Sequence, residues 1–187
     1  AVRVGYLAVA SGLADFVVVV GVEKMTDATG DTVTKALALA ADGDYEAAYG
    51  LSFVSINALL MRRYMHEYRV PHEAFANFTV NAHRNAVGNP HAMFPKAVSK
   101  EQFLEARMVA DPINLLDSSP IGDGAAAVVL CPADLARGRD RQPVRIRAST
   151  VATDAVALHD RRDPLFLEAV ALSAHRAYEE AGVKPQD

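Results

Sequence analysis

Leu116-Asp117-Ser118-Ser119-Pro120-Ile121-Gly122-Asp123-Gly124-Ala125-Ala126-Ala127-Val128-Val129-Leu130 carries a polar, turn-rich segment through an Asp-Gly pair straight into an apolar run. Glycine at 122 and 124 permits positive φ and a close backbone approach. The alanines leave room for a neighbouring backbone or a thin ligand. Residues 125–131 therefore read as a strand entering a core, with Pro132 starting a short helix after it.

Working outward, a comparable run lies far upstream, at Asp15-Phe16-Val17-Val18-Val19-Val20-Gly21-Val22. Its apolarity is continuous rather than alternating, which predicts a strand covered on both faces in a layered α/β sheet. Residues 17–22 and 126–131 are expected to be neighbours in one sheet despite their separation. Ahead of them, Val2, Val4, Leu7, Ala8 and Ser11 share a helical face, and Gly12 can close that helix.

The segment between the two strands is helical in character. Residues 27–44 are rich in Ala, Asp, Gly and Thr and are expected to wander over the surface. A helix is predicted over 52–68, with Val54, Ala58, Leu59, Met61 and Met65 supplying apolar faces. Pro71 suits the first turn of the next helix, which places Phe75, Phe78 and Ala82 on one side. Gly88, Pro90 and Pro95 make 85–95 a loop. Ser99-Lys100-Glu101-Gln102 has capping-box spacing and opens a helix through Phe103, Ala106 and Arg107. Beyond the second strand, 143–151 alternates as a half-exposed strand would. Asp163-Pro164 opens a last helix through Leu167, Val170, Leu172 and Tyr178, which Gly182 ends. The chain begins in mid-helix and stops directly after one, so it reads as an internal piece of a longer protein.

Composition narrows the function classes. An apolar content of 51% with 22% charged residues is that of a globular chain long enough to bury a core. A net charge of −4 argues against a nucleic-acid binder, and the basic run 137–147 reads as a solvated loop. One cysteine rules out an internal disulfide and fits a reducing, cytoplasmic setting. No apolar run approaches the roughly 20 residues that span a bilayer, and no signal peptide is visible.

Taken together, Gly21-Val22-Glu23-Lys24-Met25 after the first strand and Ser119-Pro120-Ile121-Gly122-Asp123-Gly124-Ala125-Ala126-Ala127 entering the second resemble the thiolase superfamily. The likeness is to the archaeal and sterol-carrier type. It implies a thiolase-like layered α/β sheet core with a helical loop-domain insert, truncated at both ends. Residues 1–25 would end the N-terminal half, 26–112 would form the loop domain, 113–140 would complete that half, and 141–187 would begin the C-terminal half. It further implies an acyltransferase on acyl-CoA thioesters that joins or cleaves β-ketoacyl-CoA in lipid metabolism. Coenzyme A thioester would be the substrate, with no covalently bound cofactor.

The family's chemistry uses a cysteine thiolate to take the acyl group, a histidine to activate it, and a second cysteine to move the α-proton. The resemblance puts all of these outside the chain, so no catalytic residue is assigned here, and the piece alone is expected to be inactive. Cys131 ends an Ala/Val run and reads as a small core residue rather than an activated thiolate. No two of the histidines have the i, i+4 spacing of a metal site, and no metal site is assigned. His83, in an Asn-Ala-His-Arg-Asn-Ala-Val-Gly-Asn-Pro phrase similar to one in sterol-carrier thiolases, either fixes its loop by hydrogen bonds or touches ligand. No phosphate-cradling glycine pattern is present.

The assigned binding residues are Ser119, which aligns with a serine that hydrogen-bonds the pantetheine amide in the family, and its neighbour Ser118. Simple turn capping is the alternative for both. The resemblance also implies a homo-oligomer contacting near residues 1–22. It leaves room for a condensing-synthase or zinc-ribbon partner, since archaeal relatives form such assemblies and others assist steroid side-chain aldolases. The rival reading is a non-catalytic scaffold or acyl-CoA-binding subunit.

Overall fold

The computed structural model describes residues 1–136 and 142–186. The chain is α/β and divides into two compact units. One comprises Ala1–Lys24, Asp123–Asp154 and Leu167–Asp187, the other Met25–Gly122 and Ala155–Phe166. The first five residues of the basic run at 137–147 lie outside the described residues.

The first unit is built on β1 (Val17–Glu23), paired antiparallel with β4 (Gly124–Leu130) from Val17 opposite Leu130 to Glu23 opposite Gly124. The two apolar runs are thus neighbours in one sheet, as their composition required. Helix α1 (Val2–Ala10) lies on one face and crosses at Gly5, which is buried. A Cβ there would stand 2.9 Å from Val19 Cγ2, 3.0 Å from Leu130 Cδ1 and 3.1 Å from Val17 Cγ1. Absence of a side chain is what lets the helix sit down on the strands.

The buried stripe of α1 is therefore not the predicted one: Val2, Val4 and Leu7 are all exposed. The helix does close as expected, with Gly12 at φ 74° just past its C-cap. Coverage of β1 on both faces is not observed either. Val18, Val20 and Val22 share the face opposite α1 with Val129, and they are 59–73% exposed. Within the described residues the sheet has only two strands, so nothing packs on that face.

Three local expectations beyond the second strand are corrected. Residues 143–151 form no strand, because no ladder partner lies beside them among the described residues, and Val144 is fully solvated. The Thr150 hydroxyl instead donates to the Ser173 carbonyl at 2.8 Å. Pro132 begins only a turn, closed by Leu135 N–H on the Pro132 carbonyl. The last helix, α6 (Glu168–Ala181), starts later than Asp163-Pro164 suggested. Asp163 spends its carboxylate on the Leu165 N–H at 2.9 Å, a local turn that competes with helix initiation.

The second unit is mostly helical. Helix α2 (Gly30–Ala38) corrects the expectation of a wandering surface segment, since Val33 is buried and Asp31 and Lys35 pair one turn apart. Helix α3 (Phe53–Tyr68) opens at a reciprocal Ser52–Ser55 capping box, and α5 (Lys100–Glu105) at the Ser99–Gln102 box foreseen from spacing. Between them a 3₁₀ turn, His72–Phe75, leads into α4 (Ala76–Ala86). Ala76 and Thr79 are its buried positions, whereas Phe78 points out.

Short strands β2 (Met108–Ala110) and β3 (Ile113–Asn114) pair antiparallel and pack on α3. Arg62 of α3 clamps their turn, donating to the Asp111 carboxylate at 2.6 Å. Residues 155–166 are held by Glu46. Its buried carboxylate accepts from Asp42 N–H at 2.9 Å and Leu158 N–H at 2.7 Å.

Candidate functional site

The turn that carries Ser118 and Ser119 starts at a fully buried asparagine. Asn114 donates from Nδ2 to the Phe103 carbonyl at 2.8 Å. Its Oδ1 accepts from Leu116 N–H at 2.8 Å and Asp117 N–H at 3.0 Å. Asp117 reaches back, and its Oδ2 accepts from Asn114 N–H at 3.0 Å. A buried amide left without partners is costly, so this reciprocal closure fixes the turn in one conformation.

Two helical elements hold the turn from outside. Thr79 of α4 donates to the Leu116 carbonyl at 3.0 Å. His72, in the 3₁₀ turn, places Nε2 3.3 Å from Asp117 Oδ2, both side chains being largely buried. The imidazole lies nearly parallel to the ring of Phe103, with centroids 5.0 Å apart.

The two serines part company here. Ser118 is half-buried and its hydroxyl donates to the Asn114 carbonyl at 3.2 Å, which is the capping role. Ser119 is exposed, and its hydroxyl makes no hydrogen bond within the described residues. Past it, a Cβ on Gly122 would meet Met93 Sδ at 3.5 Å, an ordinary contact, and one on Gly124 would meet nothing. Neither glycine has positive φ; among the described residues that conformation falls to Gly12, Gly50, Gly182 and Arg69. The positive φ that glycine permits at 122 and 124 is not used. The end of the β1–β4 ladder is instead closed by Lys24 Nζ and Asp123 Oδ2 at 3.3 Å, which brings the two quoted motifs together.

Of the remaining sequence candidates, His83 Nδ1–H donates to the Lys96 carbonyl at 2.9 Å and so fixes its own loop. Cys131 sits half-buried beyond β4, among Tyr6, Val9, Leu130, Pro132 and Ile146, the apolar setting expected of it. Among the described residues no three His, Cys, Asp or Glu side chains are placed to hold a metal ion. No helix of the described residues is long and apolar enough to cross a membrane. Reading the sequence missed His72, Asn114 and Asp117. The only local signal was the Asn114-to-Asp117 spacing of a side-chain turn; His72 is 45 residues from its partner.

The profile described as "Thiolase, N-terminal domain" matches residues 1–134. The chain belongs to the thiolase family. An acetyl-CoA acetyltransferase of Methanothermobacter thermautotrophicus is 48% identical over 187 residues, covering 100% of this chain and 48% of the relative. Sterol carrier protein 2 of Bos taurus is 28% identical, covering 94% of this chain and 35% of that protein. Among solved structures, one described as "Ltp2-ChsH2(DUF35) aldolase" superposes with a TM-score of 0.84 at 25% identity, over 100% of this chain and 49% of its own. The fold is therefore thiolase-like. This thiolase-family chain spans about half the length of the archaeal relative it matches.

Proposed function

We propose that this chain supplies the coenzyme A-binding turn of a thiolase-type acyltransferase that forms or cleaves β-ketoacyl-CoA, with Ser119 on the pantetheine arm. The observation that carries the reading is the split between the serines. Ser118 is consumed by the turn, and Ser119 is held out on a rigid platform with its hydroxyl unspent. A narrow thioester arm bearing two amides is matched by an exposed hydroxyl that the turn itself does not use. Residues 26–112 would be the loop domain, and acyl transfer would fall to a cysteine and histidines that this chain does not contribute. The setting is a cytoplasmic one, in lipid metabolism.

A partner subunit is the second reading that a specific observation favours. The structural neighbour is itself described as "Ltp2-ChsH2(DUF35) aldolase", and a non-catalytic, acyl-CoA-binding role would use the same turn. A condensing-synthase or zinc-ribbon partner would fit this reading.

The test is Ser119→Ala. A lost neutral hydrogen bond is worth about 0.5–1.5 kcal/mol net, so calorimetric titration with CoA should show affinity falling about threefold to tenfold with the melting temperature unchanged. Unaltered affinity, or a lower melting temperature with unaltered affinity, removes Ser119 from the site.

A further inference from the structure

We infer that His72 is a positioning residue that holds, through Asp117, the turn presenting Ser119; the inference rests on the CoA-binding reading of that turn. Asp117 Oδ2 has two contacts, the His72 ring at 3.3 Å and the Asn114 N–H at 3.0 Å. The carboxylate is thereby fixed at one end by a side chain from a different element and at the other by the turn's own backbone. His72 is in turn oriented by its stacking on Phe103, which is 0% exposed and whose carbonyl receives the Asn114 amide. Phe103, His72, Asp117 and Asn114 form a closed circuit around the first residues of the turn. Ser119 stands two residues past Asp117, so loss of the contacts that tether this carboxylate loosens the turn on which the Ser119 hydroxyl sits.

A histidine suits this role for geometric reasons. Its flat ring can lie on Phe103 while its edge carries an N–H toward the carboxylate. A phenylalanine would keep the stacking and lose the donor. A glutamine would keep an N–H near the Nε2 position and lose the stacking. The two substitutions therefore separate packing from hydrogen bonding.

The experiment measures backbone amide exchange by NMR and CoA affinity by calorimetry on the 187-residue chain. His72→Phe is expected to speed exchange at Leu116 and Asp117 about threefold to tenfold, the value of one lost hydrogen bond, with exchange in α3 unchanged. CoA affinity should fall by a similar factor, and His72→Gln should restore most of both. Asp117→Asn, which keeps the shape and weakens both contacts, should shift the same amides by a smaller factor and serves if His72→Phe does not fold. Exchange at 116 and 117 that stays at the unaltered rate in these variants overturns the proposal. So does a loosened turn with undiminished CoA affinity. An unaltered chain that binds no CoA refutes the functional reading instead, and the exchange data still decide whether His72 holds the turn.

Discussion

Asn114 shows how one residue can set the conformation of a functional turn. All three of its side-chain hydrogen bonds go to backbone groups of residues 103, 116 and 117, with no solvent exposure to compensate their loss. Asn114→Ala should cost about 1–3 kcal/mol, since it leaves Leu116 N–H without its partner in a part-buried turn, while Asp117 N–H keeps the Asn114 carbonyl and the Phe103 carbonyl keeps Ala106 N–H. Urea unfolding would read this as a lower midpoint with unchanged slope, and a change under about 0.5 kcal/mol would be typical of a surface position and contradict the assignment. Ser118 and Ser119 were visible in the sequence as candidates, but their difference was not. Composition says that a serine in a turn can cap or bind; only the placement of the Asn114 carbonyl says which one is already engaged. His72 was invisible for another reason, because tertiary packing brings distant residues together without leaving a local pattern.

At the scale of elements, local chemistry was legible wherever it was self-contained. The Ser99 box needs only four consecutive residues, and the structure has it. The pairing of β1 with β4 was legible because two apolar runs of matched length have few other places to go. Helix α1 misled because its apolar positions Val2, Val4 and Leu7 outvoted a glycine, whereas close approach to a sheet favours the residue with no side chain. Gly5→Val tests this directly. The new Cβ alone would stand 2.9 Å from Val19 Cγ2 and 3.1 Å from Val17 Cγ1, on side chains that are stiff at χ1. Overpacking of this kind costs about 1–3 kcal/mol, measurable as a lower melting temperature. A neutral or stabilising effect would mean that α1 does not cross the strands at that point. The predicted strand at 143–151 failed because alternation describes a face and cannot supply the neighbouring backbone a strand requires.

For the whole molecule, the uncovered face of the β1–β4 ladder is the dominant fact. Val18, Val20, Val22 and Val129 lie together on it, and each valine fully buried contributes about 1.5–3 kcal/mol. An isolated two-stranded sheet is marginal in water, and both of its outer edges are unpaired within the described residues. The 187-residue chain should therefore self-associate through residues 17–22 and 124–130. Light scattering at micromolar concentration should give a mass above the 20.0 kDa monomer, and Val20→Lys should shift it toward monomer. A monodisperse monomer of the unaltered chain would contradict this. Continuous apolarity predicted coverage on both faces, and the structure corrects this: among the described residues only the face under α1 is covered.

The central claim, that the turn after Asn114 receives the pantetheine arm of a CoA thioester, is most directly tested by titrating CoA into the ¹⁵N-labelled chain and mapping amide shifts. Perturbations should centre on Ser118, Ser119, Ile121 and Gly122, leave Cys131 unaffected, and shrink in Ser119→Ala. Shifts centred instead around Tyr6, Cys131 and Ile146, or no shifts at millimolar CoA, would contradict it.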